Sequence, residues 1–371
     1  MIRDFANLAE SRSRVIDSAA SMNERSPDAG RAGSRVRRNR RRALRRTLAA
    51  IPQNLFLWLG SAFVPLLSRR GERRLARFIA WLLCRPPFQW CRCARTNLDI
   101  VYGGTKTPEE KSRILRASFE NAALVVTDYF WFGRRTEERL ERHCAAGDDT
   151  VRRWIEGDFP GVFVTAHLGS WETGGLYIAS RGRRLWSVFK PIGSRAVTRR
   201  MRRFRSRCEQ RVIPREGAMT GVLRALRARD VVAMVLDQHV DGRDGGVYLD
   251  FLGLPAAFSP AVGTLAHRLR VPVLVAAGVR DWETDRVVIR TFREFTAEET
   301  AAMEPDALTR AIADAIGGMI LRWPEQWLWT YRRWKRWQPG DDPKRFPWYA
   351  KEDPLATPFV PPAAPPEAPA P

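Results

Sequence analysis

Between Thr107 and Ala277 the chain alternates short β-branched runs with longer amphipathic stretches, a rhythm that few architectures accommodate. The runs are Val162-Phe-Val-Thr-Ala166, Trp186-Ser-Val-Phe189, Val231-Val-Ala-Met-Val-Leu236 and Val271-Pro-Val-Leu-Val-Ala-Ala277. Their length of four to seven residues suits buried strands. Helical stretches at 195–210, 218–229 and 260–270 lie between or beside them. A further helix is expected through about Phe132, because Thr107-Pro-Glu-Glu110 supplies an N-cap, Pro at N1 and Glu at N3. Strand–helix alternation predicts an α/β layered fold. With 371 residues and 44% hydrophobic side chains, the chain has enough apolar material for a sizeable core.

The flanks of this region differ in composition. Residues 1–46 carry 13 Arg against five acidic residues, densest in Arg35-Val-Arg-Arg-Asn-Arg-Arg-Arg-Ala-Leu-Arg-Arg46. Like charges repel and little can be buried, so a disordered basic arm is expected. Such an arm suits an anionic membrane surface, and nucleic acid equally well in isolation. Residues 47–95 are expected to form a membrane-associated helical segment. The uncharged run Leu55–Leu67 is 13 residues long, short of the roughly 20 that span a bilayer. Arginines flank it on both sides, and Leu75–Cys84 forms a second, amphipathic run. Helices lying in or re-entering the headgroup region are expected, with a single span or ordinary core helices as alternatives. Residues 96–338 read as the main domain, and the Pro-rich 339–371 as an extended, unpacked tail. Met1 to Gly30 has no apolar stretch of the kind a secretory signal needs.

The formal net charge of +22 implies an anionic partner, whether nucleic acid, lipid or an acidic protein. The five cysteines are odd in number, form no CxxC pair, and only one of them adjoins a histidine, so free thiols and no zinc site are expected.

One constellation carries chemistry. His167-Leu-Gly-Ser-Trp-Glu172 follows directly on the Val162–Ala166 run. Strand ends that turn into helices are where α/β folds expose reactive groups. On one continuous helix His167 and Glu172 would stand about 140° apart; Gly169 permits a turn that lets them meet. A carboxylate on one imidazole nitrogen fixes the tautomer and leaves the other free to take a proton from a hydroxyl. A structural histidine with satisfied hydrogen bonds is the alternative.

Further blocks follow: Val212-Ile-Pro-Arg-Glu-Gly217, Val235-Leu-Asp-Gln-His239, Phe251-Leu-Gly-Leu-Pro-Ala-Ala-Phe-Ser-Pro260 and Pro324-Glu-Gln-Trp-Leu-Trp-Thr-Tyr-Arg-Arg-Trp334. Upstream, Asn97-Leu98, Pro108-Glu-Glu-Lys111 and Phe119-Glu-Asn121 join them. In this order, over roughly 50–338, they resemble the bacterial lipid A biosynthesis (lauroyl/myristoyl) acyltransferase family, within the wider lysophospholipid/glycerolipid acyltransferase group. The resemblance implies a mixed β-sheet flanked by helices. It implies transfer of a fatty acyl chain from an acyl carrier protein or coenzyme A thioester to a hydroxyl of a lipid A-type or other glycolipid. His167 would be the catalytic base and Glu172 its acidic partner. Arg215 would hold an anionic acceptor group, with Asp237 and Gln238 in a third block at a strand end. No metal or cofactor is expected beyond the acyl thioester co-substrate.

The remaining charge fits that picture. Residues 195–215 hold nine arginines and one acid. Guanidinium groups suit phosphate; most of these are expected on a solvated face, with Arg215 singled out because Pro214 and Gly217 constrain its loop. Lys190 is a further candidate contact for an anionic group. Five Trp fall within 323–337, interleaved with Arg322, Arg332, Arg333, Lys335 and Arg336. That pattern suits a membrane boundary, with Trp327 and Trp329 expected to close the core on a strand. His239 reads as an incidental loop residue and His267 as core. The expected location is the cytoplasmic face of the inner membrane, with an acyl carrier protein or coenzyme A thioester, anionic lipid and a glycolipid acceptor as partners, and no nucleic acid. A basic nucleic-acid-binding protein and a non-catalytic lipid-binding protein stand as the other readings.

Overall fold

Seven strands pair into one mixed sheet: β1 (Cys144–Ala146), β2 (Gly161–Thr165), β3 (Leu185–Phe189), β4 (Arg211–Pro214), β5 (Val231–Val235), and the longer β8 (Val273–Asp281) and β9 (Arg286–Phe295), in the order β1-β9-β8-β2-β5-β3-β4. The computed structural model describes residues 53–85, 88–189, 191, 194–208 and 210–356. The expected arm at 1–46, Lys190, and the chain beyond 356 lie outside the described residues. Neighbours are parallel except β8 and β9, which run antiparallel. β2 is buried at every position and β8 at all but its last, which accounts for their unbroken apolar runs.

Alternate residues of β2 feed two cores, one on each side of the sheet. Val162 and Val164 pack with α2 (Gln89–Tyr102), α3 (Pro108–Trp131), α8 (Ala218–Arg227), α9 (Ala261–Leu269) and α11 (Pro305–Arg322), through side chains such as Leu98, Phe119, Val222, Leu265 and Ile316. Phe163 faces α4 (Thr136–His143), α5 (Asp149–Glu156), α6 (Trp171–Ser180) and α7 (Arg195–Arg205) through Leu140, Trp154, Leu176 and Phe204. The sheet is therefore a middle layer flanked by helices. The Thr107 capping box forms as expected, with the Thr107 hydroxyl and the Glu110 carboxylate each taking a backbone N–H of the other.

The remaining strands stand apart from this sheet. β6 (Val247–Phe251) and β7 (Leu254–Phe258) form a hairpin whose two turn residues, Leu252 and Gly253, both take positive φ.

Two expected boundaries move. Residues 53–63 are helical, and α1 (Arg69–Leu83) packs its Glu72, Ala76 and Ala80 face inward while Phe78, Trp81 and Leu82 stay exposed. This segment is thus part of the same compact unit as the sheet, which runs from Asn54 onward. Among the described residues no helix is long and apolar enough to cross a membrane. The unpacked tail does not begin at 339. Phe346, Tyr349 and Asp353 are buried, the Tyr349 hydroxyl bonds to the Asn97 side chain, and β11 (Lys351–Glu352) pairs with β10 (Arg336–Trp337). Proline content marks the end of regular structure, but two aromatic rings here still find apolar partners.

Candidate active site

Strand register builds the centre of the site. β2 and β5 are parallel neighbours, with Thr165 opposite Val235. Two residues beyond each strand end stand His167 and Asp237, which therefore face one another in the crevice at the carboxyl ends of the strands. His167 Nδ1 lies 2.7 Å from Asp237 Oδ1, and the His167 backbone N–H donates to Oδ2 at 3.0 Å. Trp327 Nε1 donates to the same Oδ2 at 2.8 Å. With Nδ1–H given to the carboxylate, Nε2 is left as the acceptor facing outward, and Gln238 Nε2 reaches it at 3.3 Å. The His167 side chain is 21% exposed, whereas that of Asp237 is 4% exposed. Burial works against the imidazolium, but the charge and hydrogen bond of Asp237 outweigh it and hold His167 above the ordinary histidine range. The same pair keeps Asp237 below the usual carboxylate range, although burial pushes it the other way.

The turn after His167 is held on every side. Gly169 has φ 62°, and a Cβ there would overlap the Gly278 carbonyl. Its N–H donates to Gln326 O at 3.0 Å, and Ser170 N–H to Gly278 O at 2.7 Å. Asn121 Nδ2 donates to the carbonyls of Gly169 and Gln326. Beneath the turn, Asp128 accepts from Ser170 Oγ at 2.9 Å, Arg69 at 2.8 Å and Arg280 at 2.5 Å, all within a buried network. Burial opposes the Asp128 charge, yet Arg280 and Arg69 bring the carboxyl down to about 2. Gly169→Ala is therefore expected to cost about 2 kcal/mol or more, from the left-handed backbone and the carbonyl overlap together. Chemical denaturation measures this; an unchanged midpoint and slope would show that the turn relaxes freely.

The Glu172 carboxylate is hydrogen-bonded to Arg205 and not to the His167 ring. Glu172 opens α6, whose direction carries its carboxylate to Arg205 at the end of α7. Arg205 holds it from two nitrogens, Nε at 2.8 Å and a terminal nitrogen at 2.6 Å, with the Tyr129 hydroxyl donating as well. Burial raises the Glu172 carboxyl, but Arg205 more than offsets this and holds it low. The turn at Gly169 that was expected to bring Glu172 onto the imidazole instead sends it past; only its charge reaches His167.

The other expected site residues are spread more widely. Gln238 joins His167. Arg215 does not: its side chain is 47% exposed and lies 3.7 Å from Asp244. Arg205, assigned by sequence to a solvated face, is buried. Its neighbours Arg195, Arg199, Arg202 and Arg203 line an open basic groove of about 870 Å³ along α7. The Trp/Arg segment faces inward more than expected. Trp327, Trp329, Trp334 and Arg333 are fully buried, and the indole N–H groups find Asp237, the Pro324 carbonyl and the Phe251 carbonyl. Trp327 and Trp329 do close the core, but from a loop and not a strand. Sequence reasoning assigns Trp327 to the core alone and misses its hydrogen bond to Asp237; a Trp that follows a short 3-10 turn carries no periodic signal of what its N–H meets.

Comparison with known proteins follows the same lines. The family model described as bacterial lipid A biosynthesis acyltransferase matches residues 43–336. The chain is 26% identical over 289 residues to the lipid A biosynthesis palmitoleoyltransferase of Escherichia coli (strain K12), covering 76% of this chain and 88% of that protein. The lipid A biosynthesis acyltransferase of Shigella flexneri gives the same figures. That of Haemophilus influenzae is 19% identical over 296 residues, covering 78% of this chain and 91% of that protein. The family match spans both strand ends of the site, the turn that joins β2 to α6 and most of the chain besides: this protein belongs to the bacterial lipid A biosynthesis acyltransferase family and is an acyltransferase.

Proposed function

We propose that the protein transfers a fatty acyl chain from an acyl carrier protein or coenzyme A thioester to a hydroxyl of a lipid A-type glycolipid, with His167 as general base. The observation that carries this reading is the Asp237–His167 pair, which leaves Nε2 facing outward at the mouth of the strand-end crevice. His167 Nε2 takes the proton of the acceptor hydroxyl as its oxygen attacks the thioester carbonyl. The new C–O bond forms, the C–S bond breaks, and the imidazolium returns the proton to the departing thiolate. Asp237 steadies the imidazolium between these two events. Glu172 acts through Arg205, which it anchors at the root of the basic groove, so its part is to position and not to accept a proton. The arginines lining that groove suit the phosphate of a glycolipid acceptor or of a phosphopantetheine arm.

The same reading places the protein on the cytoplasmic face of the inner membrane. Leu55, Phe56, Trp58, Phe63, Phe78 and Trp81 are exposed on the helices before and within α1, beside exposed Arg70, Arg74 and Arg77. Apolar rings bordered by arginine suit the boundary between headgroups and acyl chains.

Purified full-length protein, given acyl carrier protein thioester or coenzyme A thioester with a lipid A-type precursor in mixed micelles, is expected to yield a product heavier by one acyl chain. No transfer from either donor would sink the assignment. The base must be neutral to act, and Asp237 raises its pKa. Activity is therefore expected to rise with pH along a limb above the ordinary histidine value of about 6.5. In Asp237→Asn, burial acts without that offset and the limb moves to lower pH. A limb in the same place in both proteins would mean that another group titrates.

A further inference from the structure

His239 follows Asp237 and Gln238 in sequence, but its ring lies against Tyr248 and Asp241. Its side chain is fully buried, and neither ring nitrogen has a hydrogen-bond partner among the described residues. An imidazole in that state is costly, since a buried polar group without a partner loses its hydration for nothing. The ring is aimed at two carboxylates. Asp241 Oδ1 lies 3.5 Å from His239 Nε2, and with Asp353 the three ligand atoms fall within 4.8 Å of one another.

We propose that His239, Asp241 and Asp353 bind one divalent transition-metal ion of the kind that takes nitrogen and carboxylate ligands, such as zinc. Tetrahedral bonds of about 2.0–2.2 Å put neighbouring ligand atoms roughly 3.3–3.6 Å apart. The His239–Asp241 separation already has that value, whereas it is too long for a good hydrogen bond. Asp353 completes the set with a small inward shift. Its Oδ2 accepts from Gly242 N–H at 3.0 Å and from the Tyr248 hydroxyl at 3.2 Å, and its Oδ1 from Leu355 N–H at 3.2 Å. Metal-bound carboxylates are characteristically oriented by such outer partners.

The charges also fit. Two carboxylates match a divalent charge. Lys335 and Arg336 approach Asp241 only to 3.9 Å and 3.8 Å, and about a third of each side chain is exposed, so both can turn outward when a cation enters. The absence of a CxxC pair excludes a cysteine-type zinc site and says nothing against one built from a histidine and two aspartates. Such an ion would tie the loop after Asp237 to the segment around Asp353, which closes the body of the fold.

The test uses the full-length protein stripped with a chelator, returned to buffer with low-micromolar Zn²⁺ and freed of excess. Metal analysis is expected to find about one zinc per chain, and Zn²⁺ is expected to raise the thermal midpoint of the wild type. Asp241→Asn and His239→Gln are each expected to weaken retention at least tenfold and to abolish the thermal shift. The Asp241 side chain is partly exposed and is held only by long contacts of 3.5–3.9 Å to His239, Lys335 and Arg336, so its variant carries the test even where His239→Gln fails to fold. Wild type that retains less than a tenth of an equivalent overturns the proposal. So does retention that both variants leave unchanged. Co²⁺ substitution gives a third arm, in which thiolate charge-transfer bands would assign the metal to cysteine and overturn it as well. None of these readouts measures acyl transfer, so their failure leaves the reading of the His167 site untouched.

Discussion

Asp237→Asn is expected to keep its fold and lose acyl transfer by about 10³–10⁴-fold, the scale seen when the carboxylate behind a catalytic histidine becomes an amide. The amide oxygen can still accept from the His167 backbone N–H and from Trp327 Nε1. Its NH₂ group then faces Nδ1, which must become the acceptor. The ring proton moves to Nε2, where a base needs a lone pair. His167→Ala should lose activity to at least the same degree, and the double variant should be little worse than either single one, because the two residues act as a unit. Multiplicative losses, or a single variant above a tenth of wild-type activity, would show that proton transfer runs elsewhere. Glu172→Gln is the informative contrast. It weakens the grip on Arg205 without touching Nδ1, but it removes a charge that raises His167, so it should move the acid limb to lower pH by less than Asp237→Asn does, because Asp237 is the larger influence.

Asp128→Ala is expected to cost about 3–5 kcal/mol of stability, because it removes the carboxylate shared by two largely buried guanidinium groups, leaving Arg69 with Glu72 and Arg280 with only the neutral Asn121 and Ser170. Arg69 and Arg280 both end on this carboxylate, along with Ser170 in the turn after His167. The side chain of Asp128 is 1% exposed. Asp158→Ala provides the scale, since its pairs with Arg184 and Arg229 are long and its side chain is 76% exposed. Exposed pairs of that kind contribute about 0–1 kcal/mol. Urea denaturation of the two variants side by side measures the difference. Comparable losses would mean that Asp128 sits in a more solvated site than its neighbours suggest. The depressed Asp128 carboxyl gives a second handle: its contribution is fully present above the unfolded carboxylate pKa and is lost as pH falls toward about 2.

Much of the layered fold was legible from the residues. The Thr107 capping box, the apolar runs that became β2, β5 and β8, and the helices before and after them are set by neighbours one to four residues apart. The same locality identified His167, Asp237 and Gln238 as strand-end residues. It did not reveal that Arg205 is the buried arginine of nine, because all nine share one compositional signal and only the packing of α7 against α6 distinguishes them. Arg215, favoured for its constrained loop, was left half-exposed beside Asp244. The proline-rich ending hid Phe346, Tyr349 and Asp353, whose partners lie on α2 and on the loop after β5.

By itself the amino-acid order determined the periodic elements, the helix cap, the turn at Gly169 and which side chains stand at strand ends. Each of these depends on the covalent neighbourhood and on steric rules that hold in any fold. The tertiary structure alone decided which carboxylate meets His167. Glu172 is five residues away but sits on a helix that leaves the site. Asp237 is 70 residues away, yet the parallel register of β2 and β5 puts it within 2.7 Å. Proximity along the chain was overruled by register across the sheet, since hydrogen bonds between strands fix the positions of groups that no local pattern connects.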